Sequence, residues 1–232
     1  VAFLGDDADE AYGVWPMMFK NRFRKMVLSF ALAAIGPLGA TDAAHATCPT
    51  GLPPGVSCGG DDLSLATAGT YAIDPNHAAV IAKVSHIGYS YSVFRFDKVA
   101  GTLSWDPAAP EASKLSVSVD TGSIATNVPG FAAELSGDKF LKSAAFPKAT
   151  FVSTAFRRKD ATHGTVTGDF TLMGVTAPLT FDVTMVGAGK GFGQPRLGVE
   201  ATASIDPKKF GMPPFFVDPI QLVIDVEFQR QS

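Results

Sequence analysis

The chain has 232 residues, 46% hydrophobic and 18% charged, with a formal net charge of −3 and two cysteines. So small a charge, with no basic block after residue 46, excludes the footprint of a nucleic-acid binder and implies neither an acidic nor a basic partner. Apart from its leader, the length suits one domain with a sizeable core.

Met17 and Met18 are followed by Lys20, Arg22, Arg24 and Lys25, then by an apolar run from Met26 to Leu38 and by Ala44-His45-Ala46. A basic segment, a short apolar segment and small residues at a cleavage site describe a secretory signal peptide, with cleavage expected after Ala46. A membrane anchor would need roughly 20 apolar residues, and Gly36-Pro37 interrupts the run. Val1 to Pro16, acidic and upstream of the plausible initiators, reads as an over-extended start. Residues 47–68 then form a Pro/Gly-rich linker holding Cys48 and Cys58, for which a disulfide is the simplest reading in an exported protein. Zinc lacks further Cys or His at ligand spacing, and the approach to Cys48 matches lipid modification poorly.

From residue 69 to 232 the pattern is alternating, as in strands with one apolar face and one wet face. Tyr71 and Ile73 start a short strand ending at Asp74-Pro75-Asn76, and Val80, Ala82, Val84 and His86 share one face of a longer one. Phe94 and Phe96 lead toward Val99, Leu103 and Trp105, with a bend or bulge near Asp97-Lys98. Leu115, Val117 and Val119 alternate with Ser116, Ser118 and Asp120. Between Asn127 and Lys142 the apolar spacing turns helical, with Pro129 in the first turn, so one short helix is expected there.

Strands resume at 149–157 and 162–173. Val166, Phe170 and Leu172 face one way, and after a turn at Met173-Gly174 so do Leu179, Phe181, Val183 and Met185. Gly174 supplies the positive φ that a tight hairpin turn needs. The glycines from 187 to 193 read as a flexible connection. The strand at Val199 to Ile205 follows, then a proline-rich aromatic loop, and last a strand carrying Leu222, Ile224, Val226 and Phe228 inward. About eight amphipathic strands with short connections and one helix predict an all-β antiparallel barrel, with a sandwich as the alternative. Eight strands close around side chains alone or around one small ligand.

Catalytic signatures are missing from the sequence: it has no G-x-S-x-G elbow, no H-E-x-x-H pair, no P-loop and no metal-ligand spacing among His45, His77, His86 and His163. His77 pairs most simply with Asp74 in a turn, and His163 falls in a solvated turn. His86, on the inward face with Val84, is either a core histidine or a ligand contact. Phe131, Phe140, Phe146, Phe210, Phe215 and Phe216 fall in the helix or in loops, where they either plug the end of a core or form an apolar mouth.

Several segments, in order, resemble the YceI-like family of exported polyisoprenoid-binding proteins. Tyr71-Ala72-Ile73-Asp74-Pro75-Asn76-His77 resembles Y-x-I-D-P-x-H, and Val84-Ser85-His86-Ile87-Gly88 resembles V-x-H-L-G. Ala149-Thr150-Phe151-Val152-Ser153-Thr154 resembles the T-F-x-S-T strand, and Gly168 to Thr176 is similar to G-D-L-T-I-x-G-V-T. The resemblance implies a lipocalin-like eight-stranded antiparallel barrel with a short helix, located in the periplasm. It implies non-enzymatic binding of a long isoprenoid, a polyprenyl phosphate or a quinone, with no cofactor or metal besides that lipid and with transient contact to the inner membrane or a membrane protein. The pocket wall expected on this reading is Val84, His86, Phe94, Phe131, Phe140, Phe170, Leu172, Phe181, Val183, Phe210, Leu222 and Ile224. The competing readings are a filled barrel acting through a partner surface, as in a stress response, and a quinone-linked redox partner. Neither the lipid nor the oligomeric state follows from the sequence.

Overall fold

A computed structural model describes residues 48–232. The predicted leader, its cleavage after Ala46 and the Val1 to Pro16 extension lie outside the described residues. The strands in chain order are β1 (Gly69–His86), β2 (Ser90–Phe96), β3 (Val99–Trp105), β4 (Lys114–Asp120) and β5 (Ile124–Ala125). After helix α1 (Phe131–Ser136) come β6 (Lys148–Arg158), β7 (His163–Leu172), β8 (Val175–Gly189), β9 (Arg196–Ile205) and β10 (Ile220–Arg230). Each pairs antiparallel in the order β1, β3, β4, β6, β7, β8, β9, β10, and β10 pairs back onto β1. That closure makes an eight-stranded barrel and leaves its wall without an edge. The remaining two strands form a flap, β2 lying along the second half of β1 and pairing with the short β5.

Alternation places the core. Along β10, Ile220, Leu222, Val226 and Phe228 are buried and Ile224 is half-buried, while Gln221 and Asp225 are exposed. On β7, Val166 and Leu172 are buried, and on β8 Phe181 is. The turn between those two strands is a two-residue loop with Leu172 opposite Val175, and both central residues take positive φ, Met173 at 51° and Gly174 at 78°. Positive φ at both positions is the hairpin form whose twist matches that of the strands. The expected bend at Asp97-Lys98 separates β2 from β3.

Three boundaries differ from the sequence reading. The expected break at Asp74-Pro75-Asn76 is an irregularity within one 18-residue strand: pairing with β10 is interrupted after Ile73 and resumes at Ala78 with a shifted register. The Asp74 carboxylate absorbs the kink by accepting from the Asn76 N–H at 3.0 Å and facing His77 Nδ1 at 3.0 Å. The helix is only six residues long, and Pro129 precedes its N-cap, Gly130. The glycine run is partly strand, since β8 continues to Gly189 and Gly60 bridges to Ala188. Side chains at Gly187 or Gly189 would stand 3.4 and 3.0 Å from the backbone of Gly59 and Cys58, so the linker lies against β8 where Cβ atoms are absent.

The linker, which carries the Cys48–Cys58 disulfide, is therefore docked on the barrel beyond the disulfide. Ala66 is fully buried, its carbonyl accepting from Trp105 Nε1 at 3.0 Å, and the Tyr71 hydroxyl donates to the Thr67 carbonyl at 2.6 Å. Both bonds satisfy polar groups that burial would otherwise leave unpaired.

Candidate functional site

The barrel interior is hollow. A cavity of about 280 Å³ follows its axis, close to the lower end of the roughly 300–1,000 Å³ typical of small-molecule sites. Five successive inward residues of β10, from Ile220 to Phe228, line it. Eight residue steps at about 3.3 Å make this run roughly 26 Å long, comparable to the roughly 30 Å hydrocarbon thickness of a bilayer. Away from the β6–β7 turn its lining is apolar apart from Thr121, Thr150 and Thr165, with Val84, Phe94, Phe170, Phe181, Val183 and Ala201 among the wall residues.

Of the residues expected from sequence, Val84, Phe94, Phe140, Phe170, Leu172, Phe181, Val183, Leu222 and Ile224 line the cavity. Phe151 and Phe181 meet edge to face at 5.2 Å, a geometry that holds both rings in the wall. Three expectations are corrected. His86 is exposed and outside the lining. It has the inward phase of Val84, but pairing of β1 with β10 stops at Lys83 opposite Gln221, so at His86 there is no opposing wall to face. Phe131 packs on Phe94 at 6.1 Å without lining the cavity, because the short helix lies over the flap. Phe210 is buried in the same core cluster and meets Phe170 edge to face at 5.3 Å, without itself lining the cavity.

The two ends of the cavity differ. At one end Leu135 and Leu141 are buried, and Phe140, Met212 and Phe216 half-buried. Phe140 stands 6.1 Å from Phe216, and these two rings plug this end, while Phe215, 5.9 Å from Phe140, is 64% exposed on the outside. At the other end the lining runs over the turn between β6 and β7. Arg157, Arg158, Asp160, Ala161 and His163 line the cavity there and are, among the described residues, the only exposed ones in the lining. The mouth is therefore this turn, and the aromatic loops close the far end. Sequence reasoning treated His163 and its neighbours as a solvated turn and missed them. The available signal was the Arg157-Arg158 pair next to inward-facing Phe156.

On the outer surface near the mouth end of the barrel, Arg196 Nη1 bridges Asp74 at 2.9 Å and Glu227 at 2.7 Å. The guanidinium, with His77, holds the Asp74 carboxyl down at about 2. Asp74, His77 and Glu227 lie close enough to suggest a metal, but Arg196 already supplies the positive charge between the two carboxylates. The group ties the kink of β1 to β9 and β10. In the cavity lining Thr162 Oγ1 lies 3.2 Å from His163 Nδ1, and that same nitrogen faces the Asp160 carboxylate at 2.9 Å.

A YceI-like domain matches residues 71–228. The UPF0312 protein of Pseudomonas putida strain W619 is 39% identical over 172 residues, covering 72% of this chain and 90% of that protein. Among solved structures, the Campylobacter jejuni YCEI protein superposes with a TM-score of 0.58 at 26% identity, covering 65% of this chain and 91% of that one. Burkholderia cenocepacia BcnA gives 0.61 at 20% identity over 67% and 98% of the two chains. A polyisoprenoid-binding domain from Saccharophagus degradans gives 0.52 at 12% identity over 69% and 98%, and both of these show a shared fold. With the match spanning the barrel from Tyr71 to Phe228, and the wall residues falling on the strands that carry it, the chain belongs to the YceI-like family.

Proposed function

We propose that the protein is a non-enzymatic carrier that holds the hydrocarbon tail of an isoprenoid lipid inside the barrel. The observation that carries this reading is the apolar cavity, closed at the aromatic end and open at the β6–β7 turn. Burial supplies about 0.8 kcal/mol per methylene-sized group, so a tail of a few isoprene units gains enough to bind without a strong polar contact. The hollow also weighs against a filled barrel working only through its surface. The polyisoprenoid-binding character of the Saccharophagus degradans domain agrees with an isoprenoid, and family membership agrees with binding over catalysis. Export to the periplasm, through the leader read from sequence, would place the carrier beside the membranes that supply such lipids. Lipid extraction and mass spectrometry of the protein purified from its own host test the reading. A stoichiometric isoprenoid is expected, and a protein that is empty and takes up no polyprenol when offered one would refute it.

A further inference from the structure

The mouth has a chemistry of its own. Among the described residues lining the cavity, Arg157, Arg158, Asp160 and His163 are the only ones with ionisable side chains, and all four stand at the open end. Their internal pairing leaves positive charge over. The Asp160 carboxylate accepts from the backbone N–H groups of Thr162 at 2.9 Å and His163 at 2.8 Å, and faces His163 Nδ1 at 2.9 Å. Lys159 spends its charge on Asp182 at 2.7 Å. Arg158 donates through Nε to the backbone carbonyl of Asp160 at 2.7 Å; among the described residues it has no carboxylate partner, and Arg157 makes no side-chain hydrogen bond or ion pair.

Beside the mouth lies a second, polar hollow of about 320 Å³, which shares Asp160, His163, Gly164 and Val183 with the apolar cavity. Lys159, Asp182, Thr184, Glu200 and Thr202 complete its wall. Three carboxylates, Asp160, Asp182 and Glu200, line this hollow and neither arginine does, whereas both arginines line the apolar cavity, so the positive side of the mouth is the arginine side.

We propose that Arg157 and Arg158 form the head-group site of the carrier, and that the protein prefers amphiphiles with an anionic head, a phosphate or a carboxylate, over those with a neutral head such as an alcohol or a quinone. The guanidinium presents a planar fork of donors that matches either anion, and charge-assisted hydrogen bonds are about twice as strong as neutral ones. The site orients the ligand with its tail toward the aromatic plug and its head at the β6–β7 turn. It rests on the barrel being the tail site.

The test offers the delipidated full chain two matched pairs, geranylgeranyl phosphate with geranylgeraniol and palmitate with palmityl alcohol, and measures each affinity at low ionic strength. Wild type is expected to bind at least one anionic form about tenfold tighter than its alcohol, and the pair showing it identifies phosphate or carboxylate as the head. In the Arg157→Gln/Arg158→Gln double variant the preference should fall below about twofold, through a loss of anion affinity that exceeds any change for the alcohol, and Lys at both positions should restore part of it. Both arginines are exposed, so the fold should survive, as an unchanged circular dichroism spectrum would verify. Equal binding of anion and alcohol by wild type, or a preference that persists without the arginines, overturns the head-group site and leaves the tail site standing. Failure to take up any of the four probes overturns both.

Discussion

Replacing Ala201 by phenylalanine separates an open tail site from a packed core. Ala201 is buried midway along β9, between Ile224 of β10 and Val183 of β8, and all three line the cavity. A ring placed there enters the void near the middle of its roughly 26 Å length and blocks the inner half to a tail. In a packed interior the added atoms would cost about 1–3 kcal/mol through displaced neighbours. In a void of about 280 Å³ they gain contacts instead, so the apo protein should lose less than about 1 kcal/mol or become slightly more stable. Binding should suffer. Excluding only four methylene-sized groups removes about 3 kcal/mol, more than a hundredfold in Kd. Urea unfolding of the delipidated protein and titration with a polyprenol give both numbers. A loss of more than about 2 kcal/mol in stability with uptake unchanged would refute the open-cavity account.

The remaining predictions concern the frame and one excluded residue. Asp74 is held at about 2 by Arg196 and then His77, with its side chain only 9% exposed. A depressed carboxyl stabilises the fold above its unfolded value near 3.8 and loses that contribution as pH falls through about 2, so acid unfolding should reveal about 2 kcal/mol lost across this window. Asp74→Asn should remove that part of the pH dependence, as unfolding at pH 2.5 and 7 would show. Gly168→Ala should cost more than about 2 kcal/mol by thermal unfolding, because its Cβ would lie 2.3 Å from the Val152 carbonyl oxygen and 2.6 Å from the Phe151 ring, whereas Gly122→Ala should be mild. His86→Ala should leave lipid uptake within about twofold of wild type, since its side chain lies beyond the barrel wall. A tenfold loss in uptake would return His86 to the site.

The barrel was legible because period-two alternation is a direct record of which side of a wall each residue occupies. Phe170, Leu172, Phe181 and Val183 could be assigned inward without knowing any strand's neighbour. The Met173-Gly174 turn was legible for the same local reason, with glycine marking the positive φ. What failed depended on where the wall stops. His86 keeps the inward phase one alternation past the end of the β1–β10 pairing, and sequence carries no sign of that end. Asp74-Pro75-Asn76 has the composition of a turn, yet a carboxylate held by a guanidinium 122 positions away keeps the strand continuous. The loop phenylalanines were equally consistent with plug and mouth, because both readings bury them, and Phe215, 64% exposed, follows neither. Only the exposure of Arg157, Arg158, Asp160, Ala161 and His163 on the cavity lining distinguishes the two ends, and that depends on tertiary closure.

The central claim, that the barrel interior is a tail site, is tested most directly by native mass spectrometry of the delipidated protein offered a polyprenol, with Ala201→Phe measured beside it. The account predicts one lipid per wild-type chain and none on the variant under the same conditions. No uptake by wild type, or equal uptake by both proteins, would contradict it.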